Sequence, residues 1–149
     1  AMQNTIETDC QPLNGLIASM LDVCPNLHCM RDATRGGIAT VLNEFADASN
    51  VGVRLNEDAV PIRSEVRGMC EILGLDPLYL ANEGKLVAIA PRSGADVLLE
   101  AMKKHPMGRD SAIVGEVMEG PTGRVVLATS FGGERVVDML VGEQLPRIC

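Results

Sequence analysis

The chain is nearly devoid of aromatic side chains, with no Trp, a single tyrosine (Tyr79) and two phenylalanines (Phe45 and Phe131). Recognition of nucleic-acid bases by aromatic stacking is therefore not expected. The core must be built from aliphatic residues and eight methionines. Positive charge is also scarce: 13 Lys and Arg stand against 20 Asp and Glu, a formal charge of −7. No Lys/Arg-rich run is present, which argues against a nucleic-acid surface and against binding to anionic membranes. Long apolar runs are missing too. The best, 86–90, is closed by Pro91 and falls far short of the ~20 residues that span a bilayer. Residues 1–7 lack the positive flank and apolar stretch of a secretory signal. These absences predict a soluble, cytoplasmic protein. Cysteines stand at positions 10, 24, 29, 70 and 149, an odd number without CxxC pairs, which predicts reduced thiols rather than a disulfide framework.

What is present suffices for one compact domain. A chain of 149 residues buries roughly 68–70% of its unfolded surface on folding. Apolar residues at three-four spacing predict an amphipathic helix over 13–23, broken by Pro25-Asn26, with a short strand at 27–30. A second helix is expected over 37–49, with Ile38, Val41, Leu42 and Phe45 on its buried face and Asn50 as its stop. A strand at 51–55 precedes a helix at 64–73 that ends before Gly74. Another strand over 85–90 leads to a helix at 93–104, for which Ser93 is the expected cap. Strands at 112–117, 124–128 and 135–137 follow, separated by Gly120-Pro121-Thr122-Gly123 and Gly132-Gly133 turns. The fold class read from this order is α+β.

Four stretches have residue types that carry chemistry. The segment from residue 140 to Cys149 is polar, contains Pro146 and shows no periodicity, so it reads as a flexible tail following a domain at 1–139. Ten extended residues reach about 33 Å, enough to carry a thiol between separate sites. Arg147 would lower the pKa of Cys149 and the adjacent α-carboxylate would raise it; an incidental cysteine is the ordinary alternative. Asp32-Ala33-Thr34-Arg35-Gly36-Gly37 opens a helix, where free N–H groups hold anions and glycines admit a phosphate. An ordinary helix start capped by Asp32 or Thr34 explains it as well. Asn82-Glu83-Gly84-Lys85 enters an apolar strand, where a partly desolvated carboxylate serves as a general base, although a solvated surface turn is the commoner use. Cys24, His28 and Cys29 include zinc-binding types, but one pair without a second falls short of the four ligands of a structural site, and Cys29 reads as a small core side chain, as do Cys10 and Cys70. No metal site is expected.

Several of these stretches together resemble the HypE family of hydrogenase expression/formation proteins, related to aminoimidazole ribonucleotide synthetase and selenophosphate synthetase. The likeness lies in Arg31-Asp32-Ala33-Thr34-Arg35-Gly36-Gly37, in Val66-Arg67-Gly68-Met69-Cys70-Glu71-Ile72-Leu73-Gly74-Leu75 and in Ala81-Asn82-Glu83-Gly84-Lys85-Leu86. His105-Pro106, Gly115-Glu116-Val117 and the ending Pro146-Arg147-Ile148-Cys149 complete it. The resemblance covers essentially the whole chain. It implies a mixed sheet with helices in a three-layer, partly ferredoxin-like arrangement, like the C-terminal domain of aminoimidazole ribonucleotide synthetase.

The resemblance also implies a reaction. A carbamoyltransferase, HypF, would load a carbamoyl group on Cys149; ATP-dependent dehydration would convert it to a thiocyanate; and the cyanide would pass to iron on a HypC–HypD scaffold for the nickel–iron hydrogenase centre. Glu83 would help deprotonation, with Asp32, Thr34, Arg35 and Gly36 near the nucleotide phosphates. ATP and Mg2+ would be bound mostly by an N-terminal domain outside this sequence, which would also supply the homodimer contact. The chain alone is thus expected to hold no cofactor and to be inactive as a dehydratase. Another ATP-dependent enzyme of the same superfamily, and a non-catalytic domain whose tail docks on a partner, are the rival readings.

Overall fold

The computed structural model describes residues 13–33, 36–80 and 85–138. Apolar spacing places four helices where the sequence predicts them: α1 (Asn14–Val23), α2 (Gly37–Ser49), α3 (Ser64–Leu73) and α4 (Arg92–Lys104). Asn50 ends α2 in the left-handed region at φ 56, its N–H returning to the carbonyls of Ala46 and Asp47. Asn is among the few residues with a side chain that tolerate this conformation. Gly74 ends α3 in the same way at φ 68. The start of α4 differs from expectation: the helix begins at Arg92 behind Pro91, with no side-chain cap, so Ser93 lies inside the first turn. Pro91 occupies the N-cap, its ring holding φ at −58, and its carbonyl accepts from Gly94 N at 3.0 Å.

Among the described residues six strands form two sheets. β1 (Cys29–Asp32) and β3 (Leu86–Ile89) make a two-stranded antiparallel ribbon. β2 (Gly52–Asn56), β4 (Gly115–Met118), β5 (Val125–Ala128) and β6 (Glu134–Val137) make a mixed sheet in the order β4-β2-β5-β6. In it β2 runs parallel to β5 and antiparallel to β4. The strand predicted at 112–117 starts later, at Gly115, although the Val114 carbonyl still accepts from Asn56 N at 2.8 Å. Short 3-10 turns at Glu57–Ala59, Pro77–Tyr79 and Pro106–Gly108 have no counterpart in the periodicity, because three residues are too few to show one.

The period-2 geometry of the ribbon divides the interior. Leu86 and Ala88 of β3 pack with α1 and α4 around Leu16, Met20, Cys24 and Leu98. Val87 and Ile89, on the opposite face, pack against the larger core formed by α2 and the four-stranded sheet. There Val53, Leu55, Val125, Leu127 and Val137 meet Ala39, Leu42 and Ala46 of α2. Each fully buried leucine or valine stabilises the fold by roughly 1.5–3 kcal/mol. Methionine contributes less than composition suggests: Met20 is fully buried, whereas Met107 and Met118 are exposed. The buried face of α2 is also turned from the predicted one. Ala39, Asn43 and Ala46 lie inside with Val41 and Leu42, and Ile38 and Phe45 are only partly buried.

Candidate functional site

The β1–β3 ribbon brings two of the four chemistry-bearing stretches to one end of the molecule. Antiparallel register sets Asp32 opposite Leu86, and Ala33 N donates to Lys85 O at 3.1 Å. The Asp-Ala-Thr-Arg-Gly-Gly stretch leaves this end of β1, and the Ala-Asn-Glu-Gly-Lys stretch enters β3 at the same place. Asp32 is an exposed strand residue and caps no helix. Gly36 occupies the N-cap of α2 with φ 77 and without a side-chain bond, in place of the predicted Asp32 or Thr34 cap. Of the predicted site residues, Thr34, Arg35, Glu83 and Cys149 lie outside the described residues, as does the predicted tail at 140–149.

The glycine pair has a visible structural use. Gly37 has φ 65, and the position a Cβ would take lies 2.6 Å from the carbonyl oxygens of both Leu78 and Leu80. Only a residue without a Cβ allows this approach. The Pro77–Tyr79 turn is thereby set directly against the start of α2. A Cβ at Gly36 would overlap the Thr40 side chain. The space beside both glycines is thus occupied by protein, and in particular by the turn that leads into the Glu83 stretch.

The same turn is tied to the end of β6, a connection that periodicity does not reveal. The Tyr79 hydroxyl donates to the Asp138 carbonyl at 2.6 Å. Asp76 accepts from Leu78 N at 3.0 Å, capping the turn, and its other oxygen accepts from Arg135 at 2.9 Å. One residue earlier, the Val137 carbonyl accepts from Asn43 Nδ2 at 2.8 Å; the same amide nitrogen also donates to Ala39 O. Burial pushes the Tyr79 pKa up, and nearby Asp76 adds to the rise while Arg135 opposes it. The hydroxyl therefore stays a donor at neutral pH. The available signal was that a lone tyrosine in an aromatic-poor chain, if packed inward, needs a partner for its hydroxyl. A cavity of about 340 Å³ beside the turn is lined by Arg67, Asp76, Leu78, Leu127 and Arg135, among others.

The described cysteines are free thiols. Cys24 is buried with its sulfur 3.3 Å from Asn26 Oδ1, Cys29 is partly buried, and Cys70 is buried in α3. Desolvation by burial pushes the Cys70 pKa up, Asp76 adds to this, and Arg67 pulls the other way. Among the described residues no three His, Cys, Asp or Glu side chains gather to hold a metal ion. No helix among them is long and apolar enough to cross a membrane.

Residues 3–128 match the family model for the C-terminal domain of AIR synthase related proteins. The chain is 56% identical over 144 residues to carbamoyl dehydratase HypE of Azotobacter vinelandii, covering 97% of this chain and 42% of that protein. It thus spans about two fifths of the length of that relative. A crystal structure of hydrogenase maturation protein HypE in complex with ATP superposes with a TM-score of 0.92 at 41% identity, covering 100% of this chain and 46% of the other. HypE in a HypE–HypF complex superposes with a TM-score of 0.88 at 39% identity over 94% of this chain and 45% of the other. The α+β fold, with its mixed sheet, is that of the AIR synthase type. The chain therefore belongs to the family of AIR synthase related proteins, as their C-terminal domain, in a form similar to HypE.

Proposed function

We propose that this chain is the C-terminal domain of a carbamoyl dehydratase that makes the cyanide ligand of nickel–iron hydrogenase. The observation that carries the reading is the meeting, at one end of the ribbon, of the start of the phosphate-type stretch (Asp32, Ala33) and the end of the base-bearing stretch (Lys85, Leu86). Nucleotide activation and deprotonation both need to act on one small group, so their residues must converge. The extent of likeness to HypE supports the same reading.

In this reading a HypF-type carbamoyltransferase loads a carbamoyl group onto the sulfur of Cys149. An amide oxygen is a poor leaving group, so ATP phosphorylates it. Phosphate departs with that oxygen as both nitrogen protons are lost and the C≡N bond forms, leaving a thiocyanate on sulfur, ADP and phosphate. Glu83 accepts a nitrogen proton. Asp32, Thr34, Arg35 and Gly36 lie toward the nucleotide phosphates, Arg35 supplying positive charge and the start of α2 its free N–H groups. ATP and Mg2+ are held mostly by an N-terminal domain through which the full-length protein dimerises. The cyanide then passes to iron on a HypC–HypD scaffold in the cytoplasm. The isolated chain is inactive as a dehydratase.

The test is Glu83→Gln in the full-length protein. Carbamoylation of Cys149 should persist while thiocyanate formation falls by about 100-fold or more, the usual worth of a general base. Thiocyanate formation at the normal rate would remove Glu83 from the mechanism.

A further inference from the structure

We infer that Tyr79 and Asn43, backed by the Asp76–Arg135 ion pair, form a clamp on the root of the Cys149 segment and act as positioning residues for dehydration. This inference rests on the proposed role of Cys149. It starts from two consecutive carbonyls at the end of β6. Val137 O accepts from Asn43 of α2 at 2.8 Å, and Asp138 O accepts from Tyr79 of the Pro77–Tyr79 turn at 2.6 Å. Among the described residues β6 is an edge strand paired with β5 alone, so these two bonds add to that ladder and to the buried Val137 side chain in holding its end. Arg135 adds a third link by pairing with Asp76, the residue that caps the same turn. Asp138 is the last residue before the segment that leads to Cys149, eleven positions on in the sequence.

The two elements that grip this root are those that build the candidate site. α2 begins at Gly36 and Gly37, and the carbonyls of Leu78 and Leu80 lie where the Cβ of any residue other than glycine at 37 would stand. The chain then runs from Leu80 directly into the Glu83 stretch. One junction thus holds together the start of α2, Leu80 at the head of the Glu83 stretch, and Asp138, from which the chain runs on to Cys149. A tether presents its group at an effective concentration set by its length and by where it is rooted. Releasing the Asp138 carbonyl lets that residue move away from the Pro77–Tyr79 turn, which shifts the point from which Cys149 is carried and so lowers the concentration of the carbamoylated sulfur at the nucleotide. Loading by a separate transferase requires only that Cys149 reach outward, and it does not depend on the root.

The experiment uses the full-length protein in two steps: loading by the carbamoyltransferase with carbamoyl phosphate, then single-turnover dehydration on adding ATP. Tyr79→Phe removes one hydrogen bond and keeps the ring. It should slow dehydration about fivefold, the worth of one net hydrogen bond, with loading rate and the ATP dependence unchanged. Arg135→Met should act in the same direction, and Arg135→Lys should restore most of the rate by renewing the pair with Asp76. Dehydration at the wild-type rate in both Tyr79→Phe and Arg135→Met would overturn the clamp. So would an equal fall in loading and dehydration together with a lowered melting temperature, because that pattern marks a purely structural role. If wild-type protein is itself never loaded at Cys149, it is the proposed function that fails.

Discussion

Gly37 is the residue whose requirement is most sharply defined. Alanine there combines the left-handed strain of a φ of 65 with a Cβ only 2.6 Å from two carbonyl oxygens. The strain alone costs about 1–2 kcal/mol, and the overlap forces the Pro77–Tyr79 turn away from α2. Gly37→Ala should therefore lower stability by about 3 kcal/mol in urea denaturation; a loss below about 1 kcal/mol would show that the turn yields freely. Tyr79 permits a pH test, because it is the chain's sole tyrosine and its absorbance reports it alone. Its folded pKa lies above the ordinary value of 10.0, so the folded state favours the protonated hydroxyl. That contribution is complete below pH 10.0 and is lost as pH rises through the raised folded value, with Asp76, Arg135 and the Asp138 carboxylate as the charged groups facing it. The alkaline loss of stability should be smaller in Tyr79→Phe, and an identical alkaline profile would contradict the role assigned to the hydroxyl. Residue types pointed to Asp32, Gly36 and Glu83, but the partners of Tyr79 lie 59 positions away and no local pattern encodes them.

Elements were more legible than residues. The four helices follow from apolar spacing and from the Asn50 and Gly74 stops, since an amphipathic stripe and a left-handed cap are both local properties. The buried face of α2 was less legible, because Asn43 reads as polar and hence outward. Its burial depends on the Val137 carbonyl, 94 positions on, which no helical period can announce. Asn43→Ala leaves that carbonyl buried without its donor and should cost about 2 kcal/mol. Hydrogen exchange should also quicken at the β6 amides paired with β5; unchanged protection there would mean that Asn43 does not hold the strand. α3 shows the reverse mismatch, since Ile72 and Leu73 are exposed and only Cys70 is buried.

For the molecule as a whole, scarcity of aromatics correctly pointed to an aliphatic core: Phe131 is 99% exposed and the interior is filled by Leu, Val and Ala. The division into a two-stranded ribbon and a four-stranded sheet was not legible. Strand pairing, unlike strand existence, is set by contacts between distant segments, such as β1 with β3 and β2 with β5. That pairing brings the Asp32 and Lys85 stretches together, so the sequence supplied the parts of the candidate site and the topology supplied their proximity. The central claim is that Cys149 carries the reacting group. The most direct measurement is the intact mass of the full-length protein after incubation with a HypF-type carbamoyltransferase, carbamoyl phosphate and ATP, with peptide mapping of the last residues. The expected result is one carbamoyl group on Cys149 that loses one water when ATP is added. An unmodified Cys149, under conditions that load a characterised HypE, would contradict the claim and leave a partner-docking domain in its place.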